Sequence, residues 1–241
     1  MIKKILVIII AMLFINIPVF SVKAEQQSLK KTVVIIVDYT TLEDLTECSF
    51  IEYLASQSYL GFVNNRQPGK ANQYTAKLIF GAGKRLEADS SIMESQRVLY
   101  NENGAGRRSI LVADVQKLKD NITNSEYSKY VGYLGDRIIR NNGVTCIIGN
   151  SDTDKPNKSS VFTIMDSSGF ISCGEVDDVI MADESFPYGI RSDYKRLAEL
   201  YKQFLPASSL IIIDTGDMER LESCRNSIDR ETFELYRTEV L

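Results

Sequence analysis

Three apolar runs in this chain end on an acid or an amide. "VVIIVD" stops at Asp38, "TCIIGNSD" reaches Asn150 and Asp152, and "LIIIDTGD" delivers Asp214 and Asp217. Short runs rich in Val and Ile read as buried strands. Open α/β sheets place their ligand sites beyond the carboxyl ends of the strands. If these three strands are parallel, the five polar side chains gather on one edge of the sheet. Carboxylates collected there raise one another's pKa unless a cation sits among them. The expectation is a cation site with Asp38, Asp214 and Asp217 as ligands and Asn150 and Asp152 lining it. A plainer role competes for each residue, because Asp and Asn after a strand also cap helices, and Thr215-Gly216 is a turn that Asp214 could cap. The recurrence of the pattern favours the cation.

The chain has no histidine. That absence excludes Ser-His-Asp and Cys-His catalysis, His-ligated zinc and an imidazole base. A metal would need oxygen or thiolate ligands, and carboxylates favour hard cations such as magnesium, calcium or manganese. Four cysteines, at 48, 146, 173 and 224, lack metal-finger spacing. Export would permit disulfides without their spacing defining a framework. Cys146 lies inside the run "TCII" and is expected as a buried core thiol.

Residues 1–24 read as a signal peptide, with Lys3 and Lys4 ahead of the apolar run Ile5 to Phe20 and small residues at Val22 and Ala24. Cleavage after Ala24 would make the protein secreted or envelope-associated; a retained membrane anchor is the other reading. Removing this segment takes away three lysines and no acids, leaving 25 basic and 32 acidic side chains, a net charge of −7. An acidic chain without a dense basic stripe is a poor nucleic-acid binder. No later stretch is long and apolar enough to span a membrane. The tripeptides "NIT" at Asn121 and "NKS" at Asn157 are glycosylation sequons only in a host with that machinery.

The elements that must position these residues alternate along the chain. Strands are expected at Thr32–Asp38, Leu60–Asn64, Thr145–Asn150, Val161–Asp166 and Ser209–Asp214, the first, third and last apolar on both faces as central parallel strands are. Thr40 followed by Glu43 is a capping-box pattern for a helix running to about Ser56. A second helix carries Tyr127, Tyr130, Val131, Leu134 and Ile138 and stops at Asn141-Asn142-Gly143. A third follows Gly189 with Tyr194, Leu197, Tyr201 and Phe204, ending at Pro206; the tyrosines are expected to pack at the core's edge. Residues 86 to 113 lack periodicity and are expected as a long excursion over the sheet's carboxyl face. "GAGKR", Gly81 to Arg85, has some phosphate-loop character but follows a helical pattern and lacks the hydroxyl after Lys84, so it is not a nucleotide site.

The succession "VVIIVDYTTLEDL", "GFVNNRQPGKANQYTAKLIFGAGKR", "CIIGNSDTD", "FTIMDSSG", "YGIRSDY" and "LIIIDTGDMERL" resembles the alkaline-phosphatase-like superfamily, in particular an exported Gram-positive branch. The resemblance covers most of residues 25–241 and implies an α/β fold, a three-layer α/β/α sandwich with a mostly parallel sheet, here incomplete at the C-terminus. It implies a metal-dependent hydrolase of phosphate or sulfate esters, with magnesium, manganese or zinc at the sheet edge and a small anionic ester as substrate. Asp38 and Asp214 match family acids, with Asp217 beside the latter. Family nucleophiles precede a pattern like "ANQY", but Pro68, Gly69 and Lys70 carry no hydroxyl there, so Thr75 is the candidate nucleophile and Asn72 a polar neighbour. The family's histidine ligands are absent. Three readings follow: an exported hydrolase, active or inactive; a non-catalytic cell-envelope module binding an envelope ligand; or a degraded gene product with an exposed sheet edge and poor solubility.

Overall fold

The computed structural model describes residues 31–41, 43–44, 49–59, 61, 72–103 and 107–240. The expected signal peptide and the expected strand at 60–64 lie outside the described residues, apart from Gly61.

Four parallel strands form the central sheet: β1 (Thr32–Ile36), β4 (Thr145–Gly149), β6 (Cys173–Glu175) and β9 (Leu210–Asp214), in the order β1-β9-β4-β6. Ile36 is in register with Asp214, and Asp214 with Gly149. The three acid-bearing strand ends therefore stop level with one another. Alternation along the strands then builds the layers. Val34, Ile36, Ile147 and Ile212 face one core, beneath α2 (Gln73–Ala82) and α5 (Tyr133–Ile139). Cys146, Ile148, Ile211 and Ile213 face the other, beneath α6 (Tyr194–Phe204), which contributes Leu197, Leu200 and Phe204. The result is an α/β/α sandwich. Helices α7 (Asp217–Ser223) and α8 (Arg230–Val240) pack through Met218, Leu221 and Phe233. Among the described residues no helix is long and apolar enough to cross a membrane.

Several expectations need correction. β1 is the edge strand of the four, not a central one; Val33, Ile35 and Val37 on its second face remain exposed because α6 covers only β9, β4 and β6. The run Val161–Asp166 is no strand. Residues Ser159–Thr163 form a 3-10 turn buried on every side, and periodicity alone cannot separate a short buried strand from a short buried helical turn. The stretch 86–113 is not a featureless excursion. It holds α3 (Ser90–Glu94) and an antiparallel hairpin of β2 (Val98–Asn103) and β3 (Arg107–Val112), whose second strand pairs with β5 (Phe170–Ile171). The single helix expected over 127–138 is broken by Gly132 at φ 81° into a 3-10 segment, Ser125–Tyr130, and α5. The capping bond at the first helix uses Thr41 and Asp44, with the Thr41 backbone N–H donating to Asp44 Oδ2 at 2.5 Å; the helix itself is described as α1 (Ser49–Ser56).

Cys146 is not a lone thiol. It is joined to Cys173, its direct register partner on β6. Neighbouring parallel strands hold these two Cα atoms 4.7 Å apart, within disulfide reach. Sequence spacing gave no hint of this, because the partners lie 27 residues apart on strands whose adjacency only the topology reveals.

Candidate site at the carboxyl edge of the sheet

Helix α2 delivers the group that organises this edge. Asn72 caps its N-terminus, its side chain accepting from the Thr75 backbone N–H at 2.8 Å. One turn on, Lys77 projects from the helix toward the strand ends, and it is 3% exposed. Its Nζ lies 2.9 Å from Asp38 Oδ2 and 3.2 Å from Asp214 Oδ2, and donates to Ser159 Oγ at 3.2 Å. Ser151, just after β4, donates its hydroxyl to Asp214 at 3.1 Å. The structure thus brings Asp38 and Asp214 together, as parallel strands require, and places between them an ammonium supplied by the protein itself. Burial alone would lower the pKa of Lys77, but the charges of Asp214 and then Asp38 outweigh it and the net shift is upward. Lys77 is therefore a fixed cation at every physiological pH.

A divalent ion could bind between Asp38 and Asp214 only by displacing this ammonium. Among the described residues no group of three or more histidine, cysteine or carboxylate side chains is placed to share a metal ion.

The other expected ligands are not brought to Lys77. Asp217 is fully buried and bonded elsewhere: its Oδ1 accepts from the Ser192 backbone N–H at 2.9 Å and from Arg220 at 2.7 Å, and its Oδ2 accepts from the Tyr194 hydroxyl at 2.9 Å. Arg220, itself without solvent exposure, also donates to Asn150 Oδ1 and O, the Asp152 carbonyl and Ser192 Oγ. Five acceptors meet the five N–H donors of one guanidinium. Asp152 turns its carboxylate outward to Lys158 at 2.6 Å and accepts the Asn157 backbone N–H at 2.7 Å. Each acid expected at the site, the three ligands and the lining Asp152 alike, is thus matched by a side-chain cation: Lys77 for Asp38 and Asp214, Arg220 for Asp217, Lys158 for Asp152. Two loops approach closely enough to demand glycine. A Cβ on Gly149 (φ 97°) would strike the Asp214 carbonyl, and one on Gly216 (φ 71°) would strike the Asn150 carbonyl. Thr75 sits inside α2 at 2% exposure, so its hydroxyl is not presented to solvent.

One functional candidate escaped the sequence reading. Glu219, on the first turns of α7, accepts from Gln73 Nε2 at 2.5 Å through Oε1, while its buried Oε2 has no hydrogen-bond partner among the described residues. Burial raises its pKa to about 7; Lys77 opposes this, and Asp38 and Asp214 reinforce it. Tyr39, at φ 55°, follows Asp38 directly, and its hydroxyl is pushed up to about 12 by burial and then by Glu219 and Asp38. A bulky residue in the left-handed region stores strain and needs an anchor. Arg237 of α8 provides one, donating to the Tyr39 carbonyl at 2.9 Å while it pairs with Asp44. Nothing in the spacing of the "DMER" segment distinguished Glu219 from a solvated helix acid.

No protein-family model, no curated protein and no solved structure matches the chain.

Proposed function

We propose that this chain is a non-catalytic, alkaline-phosphatase-like binding module of the cell envelope, in which buried lysine takes the position a metal ion would need. The observation that carries this reading is the Lys77 ammonium between Asp38 and Asp214. A lysine clamped by two carboxylates is a strong structural cation, with neither the vacant coordination position nor the Lewis acidity that metal-assisted ester cleavage uses. The buried Thr75 supports the same reading, because an attacking hydroxyl must reach its substrate. Export accords with the Cys146–Cys173 bridge, since such bonds persist in oxidising compartments.

The test is hydrolysis of an aryl phosphate and an aryl phosphodiester with magnesium, manganese or zinc supplied, beside calorimetric titration of each ion. No metal-dependent turnover and no tight ion site are expected. Turnover abolished by Asp38→Asn would overturn the reading.

A second reading, an active ester hydrolase, is favoured by Glu219. A carboxyl group titrating near neutrality in a partly enclosed site is suited to general acid–base work. A bell-shaped or sigmoidal pH–rate profile lost in Glu219→Gln would select it.

A further inference from the structure

The geometry points to a side-chain anion site at the carboxyl end of α2, built by the "GAGKR" turn and suited to a phosphate- or carboxylate-type anion carried on an apolar group. This deepens the binding reading above and rests on it, because it names the ligand class of the same edge of the molecule. The turn is no phosphate loop: it ends a helix, and Gly83 at φ 61° gives its N–H back to the Ile79 and Phe80 carbonyls. The Gly83 amide is therefore turned back into the helix and not toward an anion. Its side chains do the opposite of its backbone. Lys84 and Arg85 are exposed, and neither pairs with a carboxylate among the described residues. Both line a cleft of about 420 Å³ that runs along α2 to Asp38 and Lys77. Lys77 offsets one of the two carboxylates it joins, Asp38 and Asp214, so the two cations Lys84 and Arg85 still outweigh the remaining negative charge in an otherwise acidic chain.

The remaining wall is apolar. Ile36 floors it, and Phe80 stands on its rim at 49% exposure. An exposed phenyl ring beside two cations that pair with no carboxylate among the described residues suits a molecule with an anionic head and a flat or branched apolar body. The cleft volume lies in the range of small-molecule sites. Lys84 is also held over the Tyr130 ring, 5.4 Å from its centroid, which limits the freedom it would lose on binding.

The experiment titrates the full chain with phenyl phosphate and with inorganic phosphate, read by calorimetry and ligand-observed NMR, with turnover monitored in the same samples. Saturable binding of phenyl phosphate, stronger than that of phosphate alone, is expected. The double substitution Lys84→Ala, Arg85→Ala should weaken it about tenfold or more, as the loss of charge-assisted hydrogen bonds does. Phe80→Ser should bring phenyl phosphate and phosphate to equal affinity, while Lys195→Ala on α6 should change nothing. Vesicles of phosphatidylglycerol, tested against the same variants, separate the sources: capture lost in the Lys84/Arg85 variant assigns the anion to a lipid headgroup, and soluble binding alone assigns it to a free ester. No saturation at about 10 mM phenyl phosphate, or equal affinity in the Lys84/Arg85 variant, overturns the site. Binding accompanied by turnover leaves the site standing and overturns the non-catalytic reading instead.

Discussion

Replacing Glu219 by glutamine should make the protein more stable in mild alkali and nearly neutral in effect in mild acid. The folded-state pKa of about 7 stands against an ordinary value of 4.5, so the folded chain holds this proton more tightly than the unfolded chain does. Below about pH 4.5 both states are protonated and nothing is lost. As pH rises toward 7 the unfolded chain releases its proton first, and stability falls. Above about pH 7 the folded state carries a buried charge, and the full penalty is about 3 kcal/mol, from 1.36 kcal/mol for each unit of displacement. Glutamine has no proton to lose, keeps an oxygen for the Gln73 amide to donate to, and removes that dependence. Urea unfolding of both proteins at about pH 5 and about pH 8.5 should show the difference between them growing by about 2–3 kcal/mol in favour of the variant. The alkaline end must stay below the titration of the tyrosines, whose shifts are upward at Tyr39 and Tyr74, both to about 12. A stability difference that is the same at both pH values would refute the placement of Glu219 in a buried environment beside Asp38 and Asp214.

Three further outcomes follow from the buried pairs. Lys77→Ala leaves Asp38 and Asp214 facing one another without a cation, and should cost about 3–5 kcal/mol in chemical denaturation; restoring Asp214→Asn in the same chain should recover part of that loss. Arg220→Lys keeps the charge but offers three donors to five acceptors, and should lower stability by about 2–3 kcal/mol, measured by the denaturant midpoint. Reducing Cys146–Cys173 opens a loop of 27 residues' separation and should lower stability by about 3–4 kcal/mol, whereas a Cys146→Ala, Cys173→Ala chain should melt identically with and without reductant.

The parallel sheet and its acid-tipped strands were legible in the sequence because β-branched runs ending on Asp carry both strand and edge in the same residues. β9 is a five-residue run of that kind ending on Asp214, β4 is a five-residue run followed directly by Asn150, and their ends lie level. The neutralising cations were not legible. Lys77 lies 39 or more residues from either carboxylate it joins, and in isolation "QYTAKLIF" reads as a helix with one lysine on its polar side. Only when the helix lies against the strand ends does that lysine turn inward. Arg220 was hidden for another reason: its spacing from Asp217 is that of an ordinary helical surface pair, worth little when solvated, and burial changes its meaning altogether. The Val161–Asp166 strand failed because an apolar run buried on all sides has no periodicity left to read. The hairpin at β2–β3 failed because its strands mix polar and apolar residues and sit outside the main sheet.

The guanidinium of Arg220 reaches carbonyl or side-chain oxygens of Asn150, Asp152, Ser192 and Asp217, segments that enter from three separate stretches of chain. A rim assembled this way cannot loosen one loop at a time, since releasing any of them strands a buried donor. Amide exchange in the segments around 150–152, 192 and 217 should therefore proceed at a common slow rate, in a single concerted opening, with the rim behaving as one stiff collar around the mouth of the sheet.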